Sequence, residues 1–96
     1  MTREQVLQIL REYRVELTAH GIKSLAVFGS VARNEASSAS DIDILVDFIG
    51  SATFDGYMEA KFYLEGLLGC QVDLVVRQAL KPRMRPVVEQ EAIYVT

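Results

Sequence analysis

The stretch from Leu25 to Phe48 limits what this chain can fold into more than any other. It reads Leu-Ala-Val-Phe-Gly-Ser, then residues 31–40, which are mostly small or polar, then Asp-Ile-Asp-Ile-Leu-Val-Asp-Phe. An apolar run that stops at Gly29-Ser30 suits a buried strand turning tightly into a helix. The first N–H groups of such a helix lack partners within it, and the helix dipole adds partial positive charge. The corner is therefore a seat for an anion, a phosphate above all.

The second half of the stretch supplies the opposite charge. Side chains alternate along an extended strand, so Asp41 and Asp43 leave from one face, roughly 6–7 Å apart, while Ile42, Ile44 and Val46 enter the core from the other. Two carboxylates held side by side repel each other, and a hard divalent cation with oxygen ligands, typically Mg²⁺, relieves that repulsion. A phosphate seat beside a metal-binding acid pair is the minimum needed to handle a nucleoside triphosphate.

At 96 residues the chain is expected to form one domain over positions 1–96, and 50% hydrophobic residues provide its core. No apolar run approaches 18 residues and no basic leader precedes an apolar segment, which argues against a membrane span or secretion signal and points to the cytoplasm. Cys70 has no second cysteine to pair with, and with His20 also alone there is no zinc-binding pattern. His20 reads as a solvated or dipole-compensating residue at a helix end. The formal net charge of −3 does not favour nonspecific nucleic-acid binding.

The remaining elements follow from pattern. Thr2 with Gln5 forms a capping box, and Val6, Ile9, Leu10, Tyr13 and Leu17 recur at helical spacing until Gly21, predicting one amphipathic helix over residues 3–20. Its Arg3, Arg11 and Arg14 read as a solvated face. Ile22 to Phe28 reads as a strand, Ser30 to Asn34 as a short helix, Asn34 to Ser40 as a loop, and Asp41 to Phe48 as the second strand. Arg33, three residues after Ser30, fits either a second phosphate contact or an ion pair with Glu35 or Asp47.

Tyr57, Ala60, Leu64, Leu67 and Leu68 place a helix over residues 53–68, stopped by Gly69. Tyr57, Phe62 and Tyr63 read mainly as core, with a partner interface as the rival. Cys70 to Val76 forms a third strand with Val72, Leu74 and Val76 on one face and Asp73 on the other. Beside the second strand, Asp73 would join Asp41 and Asp43. After Arg77 the basic residues Lys81, Arg83 and Arg85 read as a solvated face or as a contact with phosphates or an acidic partner. A helix from Pro86 to Glu91 and a strand from Ala92 to Val95 complete an α/β (α+β) pattern.

Phe28-Gly29-Ser30, ten intervening residues, Asp41-Ile42-Asp43 and a later Val72-Asp73-Leu74 together resemble the DNA polymerase beta-like nucleotidyltransferase superfamily. Gly29-Ser30-Val31-Ala32-Arg33-Asn34-Glu35-Ala36 and Ser40-Asp41-Ile42-Asp43-Ile44-Leu45-Val46 are similar, more narrowly, to its minimal nucleotidyltransferases. The resemblance implies a small mixed β-sheet flanked by helices and metal-dependent transfer of a nucleoside monophosphate from a triphosphate to a hydroxyl. It implies that Gly29 lets the triphosphate approach the backbone, that Ser30 holds its outer phosphates, and that Asp41 and Asp43 ligate two Mg²⁺ ions. It further implies that Asp73 is the third carboxylate, near the acceptor. Asn34 stands where many relatives carry Gly, a change the left-handed conformation tolerates.

Minimal nucleotidyltransferases of this size resemble the antitoxins of two-gene pairs whose toxins are helical HEPN ribonucleases. That likeness implies ATP as substrate and AMP transfer to a toxin tyrosine. The rivals are a module that blocks its partner by occlusion, and nucleotide addition to RNA or a small molecule.

Overall fold

The computed structural model describes residues 1–35 and 41–96. The elements run α1 (Arg3–Glu12), α2 (Arg14–Ala19), β1 (Ile22–Phe28), α3 (Gly29–Ala32), β2 (Ile42–Phe48), α4 (Phe54–Leu68), β3 (Val72–Val76), a 3-10 turn (Arg77–Ala79), α5 (Arg85–Glu91) and β4 (Ile93–Tyr94). The strands form one mixed sheet in the order β3-β2-β1-β4, with β2 and β3 parallel and the other pairs antiparallel. This is the small mixed sheet flanked by helices that the sequence led us to expect.

Alternation sorts the strands into two faces. Leu25, Val27, Ile42, Ile44, Val46, Val72 and Leu74 are buried on one face with Val6, Leu7 and Leu10 of α1, Leu17 of α2, and Ala60, Leu64 and Leu68 of α4. On the other face Ala26 and Leu45 are buried under Val88 of α5, in a smaller cluster edged by Phe28, Val75 and Leu80. Short α5 thus covers only the middle of this second face.

The expected single helix over residues 3–20 is two helices. Tyr13 breaks it with φ −101° and ψ 21°, its N–H still bonded to Ile9 O. The turn keeps Leu17 fully buried while Tyr13 and Val15 stand in solvent, at 38% and 75% exposure. The capping box at Thr2 and Gln5 is present with both of its hydrogen bonds. Arg3, read as part of a solvated face, donates from Nη1 to Ala32 O at the end of α3.

Thr53 caps α4 through its hydroxyl and Gly69 ends it in the left-handed region. Tyr57 and Tyr63 pack against the core, and Tyr63 stacks on His20 with ring centroids 4.2 Å apart. Phe62 departs from the core reading and is 59% exposed. Among the described residues, no helix is long and apolar enough to cross a membrane.

A candidate nucleotidyltransferase site

The end of β1 makes the corner. Gly29 opens α3 at φ +72°, in the region that L side chains avoid. A Cβ there would overlap Asp43 Oδ2 and lie 2.9 Å from Asp43 Cγ, so only glycine lets the β2 carboxylate lie against the turn. Phe28 and Asp43 are register partners across the β1–β2 pair, which brings the corner and the acid together.

After a single turn α3 closes at Asn34, with φ +61°. Asn34 N–H reaches Val31 O and Glu35 N–H reaches Ser30 O, the paired bonds of a Schellman ending. Asn does here what Gly does more often, as the sequence suggested. This ending turns Arg33 and Glu35 back beside the corner. Residues 36–40, the remainder of the expected loop, lie outside the described residues.

Asp43 and Asp73 are Cα partners in the parallel β2–β3 ladder and share one sheet face. Asp43 is half-buried. Burial first, then the charge of Asp73 and a hydrogen bond shared with it, then the charge of Asp41, hold the Asp43 carboxyl above the usual carboxylate range; Arg33 offsets this only weakly. Asp41 is exposed, just before β2. Asp43 and Asp73 are thus brought together, with Asp41 at their margin. Among the described residues, no three acidic, histidine or cysteine side chains converge closely enough to form a ready-made metal cage. The donor chemistry nonetheless fits a hard cation: oxygen ligands only, with a negative charge that Arg33 offsets only weakly.

Both ion-pair partners of Arg33 are carboxylates at the corner. Arg33 Nε meets Glu35 Oε2 at 3.2 Å and Nη1 meets Glu91 Oε1 at 2.7 Å. The suggested alternative, Asp47, is instead engaged by Arg77 Nη1 at 3.4 Å and by Ser24 Oγ at 3.2 Å. Glu91 was not singled out in the sequence. Its signal was only positional, two residues before the β4 strand that pairs with β1.

A cleft of about 240 Å³ lined by Lys23, Asp47, Phe48, Arg77, Gln78 and Arg85 lies away from the acids, at the Asp47 end of β2. It is open and has no link to the corner.

A left-handed glycine turn abutted by a pair of carboxylates on neighbouring strands is the arrangement expected of the nucleotidyltransferase class of enzyme. The chain belongs to the Nucleotidyltransferase domain family, whose model matches residues 4–95. It is 41% identical over 96 residues to Protein adenylyltransferase MntA of Thermococcus cleftensis, covering 99% of this chain and 97% of that one. A solved structure presented as a minimal nucleotidyltransferase superposes with a TM-score of 0.82 at 46% identity, covering 97% of this chain and 95% of the other. A second, the tri-AMPylated HEPN toxin of Shewanella oneidensis in complex with MNT antitoxin, shares the fold with a TM-score of 0.68 at 19% identity, over 94% and 71% of the two chains.

Proposed function

We propose that this nucleotidyltransferase transfers AMP from ATP to a tyrosine hydroxyl of a helical HEPN-type toxin, in the cytoplasm and with Mg²⁺, and so acts as the antitoxin of a pair. The observation that carries the reading is Asp43 in register with Asp73, against a Gly29 turn that has no room for a side chain. The adenylyltransferase relative and the AMPylated toxin complex support the choice of AMP and of a protein acceptor.

In this reading the triphosphate lies along the Gly29-Ser30 turn, where Ser30 Oγ and backbone N–H groups bind its outer oxygens and Arg33 adds a cationic contact. Asp41, Asp43 and Asp73 would hold two Mg²⁺ ions. Bound Mg²⁺ neutralises phosphate charge and lowers the pKa of an acceptor hydroxyl. Asp73, on the exposed rim of the pair, orients the tyrosine hydroxyl and draws on its proton as the oxygen attacks the α-phosphorus. The bond from the α-phosphorus to its bridging oxygen breaks and pyrophosphate leaves. Cys70 has no part in this, since burial raises its thiol pKa and leaves it a poor nucleophile. An AMP on the toxin adds negative charge and bulk where an RNA phosphate must enter.

The test is incubation with the neighbour-encoded helical protein, labelled ATP and Mg²⁺. Label is expected on a partner tyrosine, and is expected to be lost in Asp41→Ala, Asp43→Ala. Neutralisation of the partner by that double variant without labelling would replace transfer with occlusion. Label on RNA or a small molecule would replace the acceptor.

A further inference from the structure

Glu91 is the last residue of α5 and two residues ahead of Ile93, which pairs with Val27. Continued by two residues, the antiparallel β1–β4 ladder brings Gly29 opposite Glu91. Gly29 N–H accordingly donates to Glu91 Oε2 at 3.3 Å, a side chain standing where a strand carbonyl would otherwise be. The other oxygen of the same carboxylate takes Arg33 Nη1 at 2.7 Å. One half-buried carboxylate, 25% exposed, therefore ties the main chain of the anion seat to the cation beside it.

A guanidinium offers five N–H donors in a rigid plane. Here Glu35 holds Nε and Glu91 holds Nη1, while among the described residues Nη2 has no acceptor. Fixing two corners of the plane fixes the direction of the third. A long side chain that would otherwise lose rotamer freedom on meeting a ligand is ordered in advance.

We infer that Glu91 is a positioning residue for nucleotide binding: it aims the Arg33 guanidinium at the phosphates seated on the Gly29-Ser30 turn. This rests on the nucleotide reading of that turn. Glu91→Gln is a sharp probe, because Gly29 N–H and Arg33 Nη1 use different oxygens of the carboxylate, and in the amide one of these becomes an NH₂ that turns a donor toward a donor.

The experiment is calorimetric titration of Mg²⁺-ATP, and separately of inorganic tripolyphosphate, into the unmodified chain, Glu91→Gln, Arg33→Ala and the double variant. Melting curves establish that each is folded, and Glu91→Ala repeats the cycle should the Gln variant not fold. Glu91→Gln is expected to weaken both ligands by about tenfold when Arg33 is present and to have no further effect in Arg33→Ala. A merely structural role would cost the same in both backgrounds and would overturn the inference. Unchanged or tighter binding would overturn it too, the latter marking Glu91 as an anion that competes with phosphate. Coupled binding of tripolyphosphate without ATP binding would leave Glu91 in place and remove the nucleotide reading. Binding of neither ligand would remove both.

Discussion

Asp43 and Asp73 stand opposite each other on neighbouring parallel strands, and the Asp43 carboxyl is held above its ordinary range by burial and by the Asp73 charge. An acid whose folded pKa is raised binds more protons in the native than in the unfolded state. Its stabilising contribution is full below the unfolded value of about 3.9 and is lost as pH rises through the folded value. An ionised Asp43 is therefore a strain on the fold. Asp43→Asn, which keeps the shape and removes the charge, is expected to raise the neutral-pH melting temperature in EDTA by roughly 4 °C. The gain over the unmodified chain should shrink to nothing as the pH falls to about 4. Melting curves of the two proteins across this range check the sign, and the same variant should lower AMP transfer on the order of 10²–10³-fold.

The same repulsion should make the divalent cation a stabiliser. A ligand bound only by the native state adds about 1.4 kcal/mol at ten times its Kd. Adding MgCl₂ to the metal-free protein is expected to raise its melting temperature and leave that of Asp43→Asn unmoved. An equal shift in both proteins would put the cation elsewhere than the Asp43–Asp73 pair.

Gly29→Ala tests the corner itself. Forcing alanine to hold φ +72° costs about 1–2 kcal/mol, and its methyl must also push Asp43 aside. The variant is expected to melt roughly 5–10 °C lower and to lose about 100-fold in transfer, since a displacement of order 1 Å at a reacting centre costs that much. Single-turnover labelling of the partner at saturating ATP separates this loss from weakened binding.

The legible part of the chain was the part governed by local rules. Alternation from Ile42 to Val46 gave both the buried face and the acid face, and the left-handed Asn34 was suggested by the resemblance, in which many relatives carry Gly at that place. The break at Tyr13 was hidden because Val6, Leu10, Tyr13 and Leu17 satisfy helical spacing without it. The choice between one bent helix and two depends on packing against the sheet. The burial of Leu45 on the acid face was not legible, because it comes from Val88, 43 positions away in sequence. Glu91 was invisible for the same reason: its partners Gly29 and Arg33 belong to the other end of the chain.

How α5 is held separates the last two effects. Val88 is 5% exposed against Ala26 and Leu45, whereas Arg77 reaches Glu89 at 2.6 Å and Asp47 at 3.4 Å from a side chain that is itself 42% exposed. Exposed ion pairs contribute up to about 1 kcal/mol and are screened by salt, so Arg77→Ala is expected to cost less than that and to leave ATP affinity unchanged. Removing two buried methyl groups in Val88→Ala is expected to cost about 2 kcal/mol. Because Val88 anchors the helix that ends in Glu91, the same change should also weaken ATP binding while Arg33 and Glu91 remain chemically intact. Denaturant unfolding and ATP titration of the two variants, at low and high salt, compare them directly. Equal losses of affinity would mean that the Arg77 ion pairs seat α5 against the sheet as much as the small apolar cluster does.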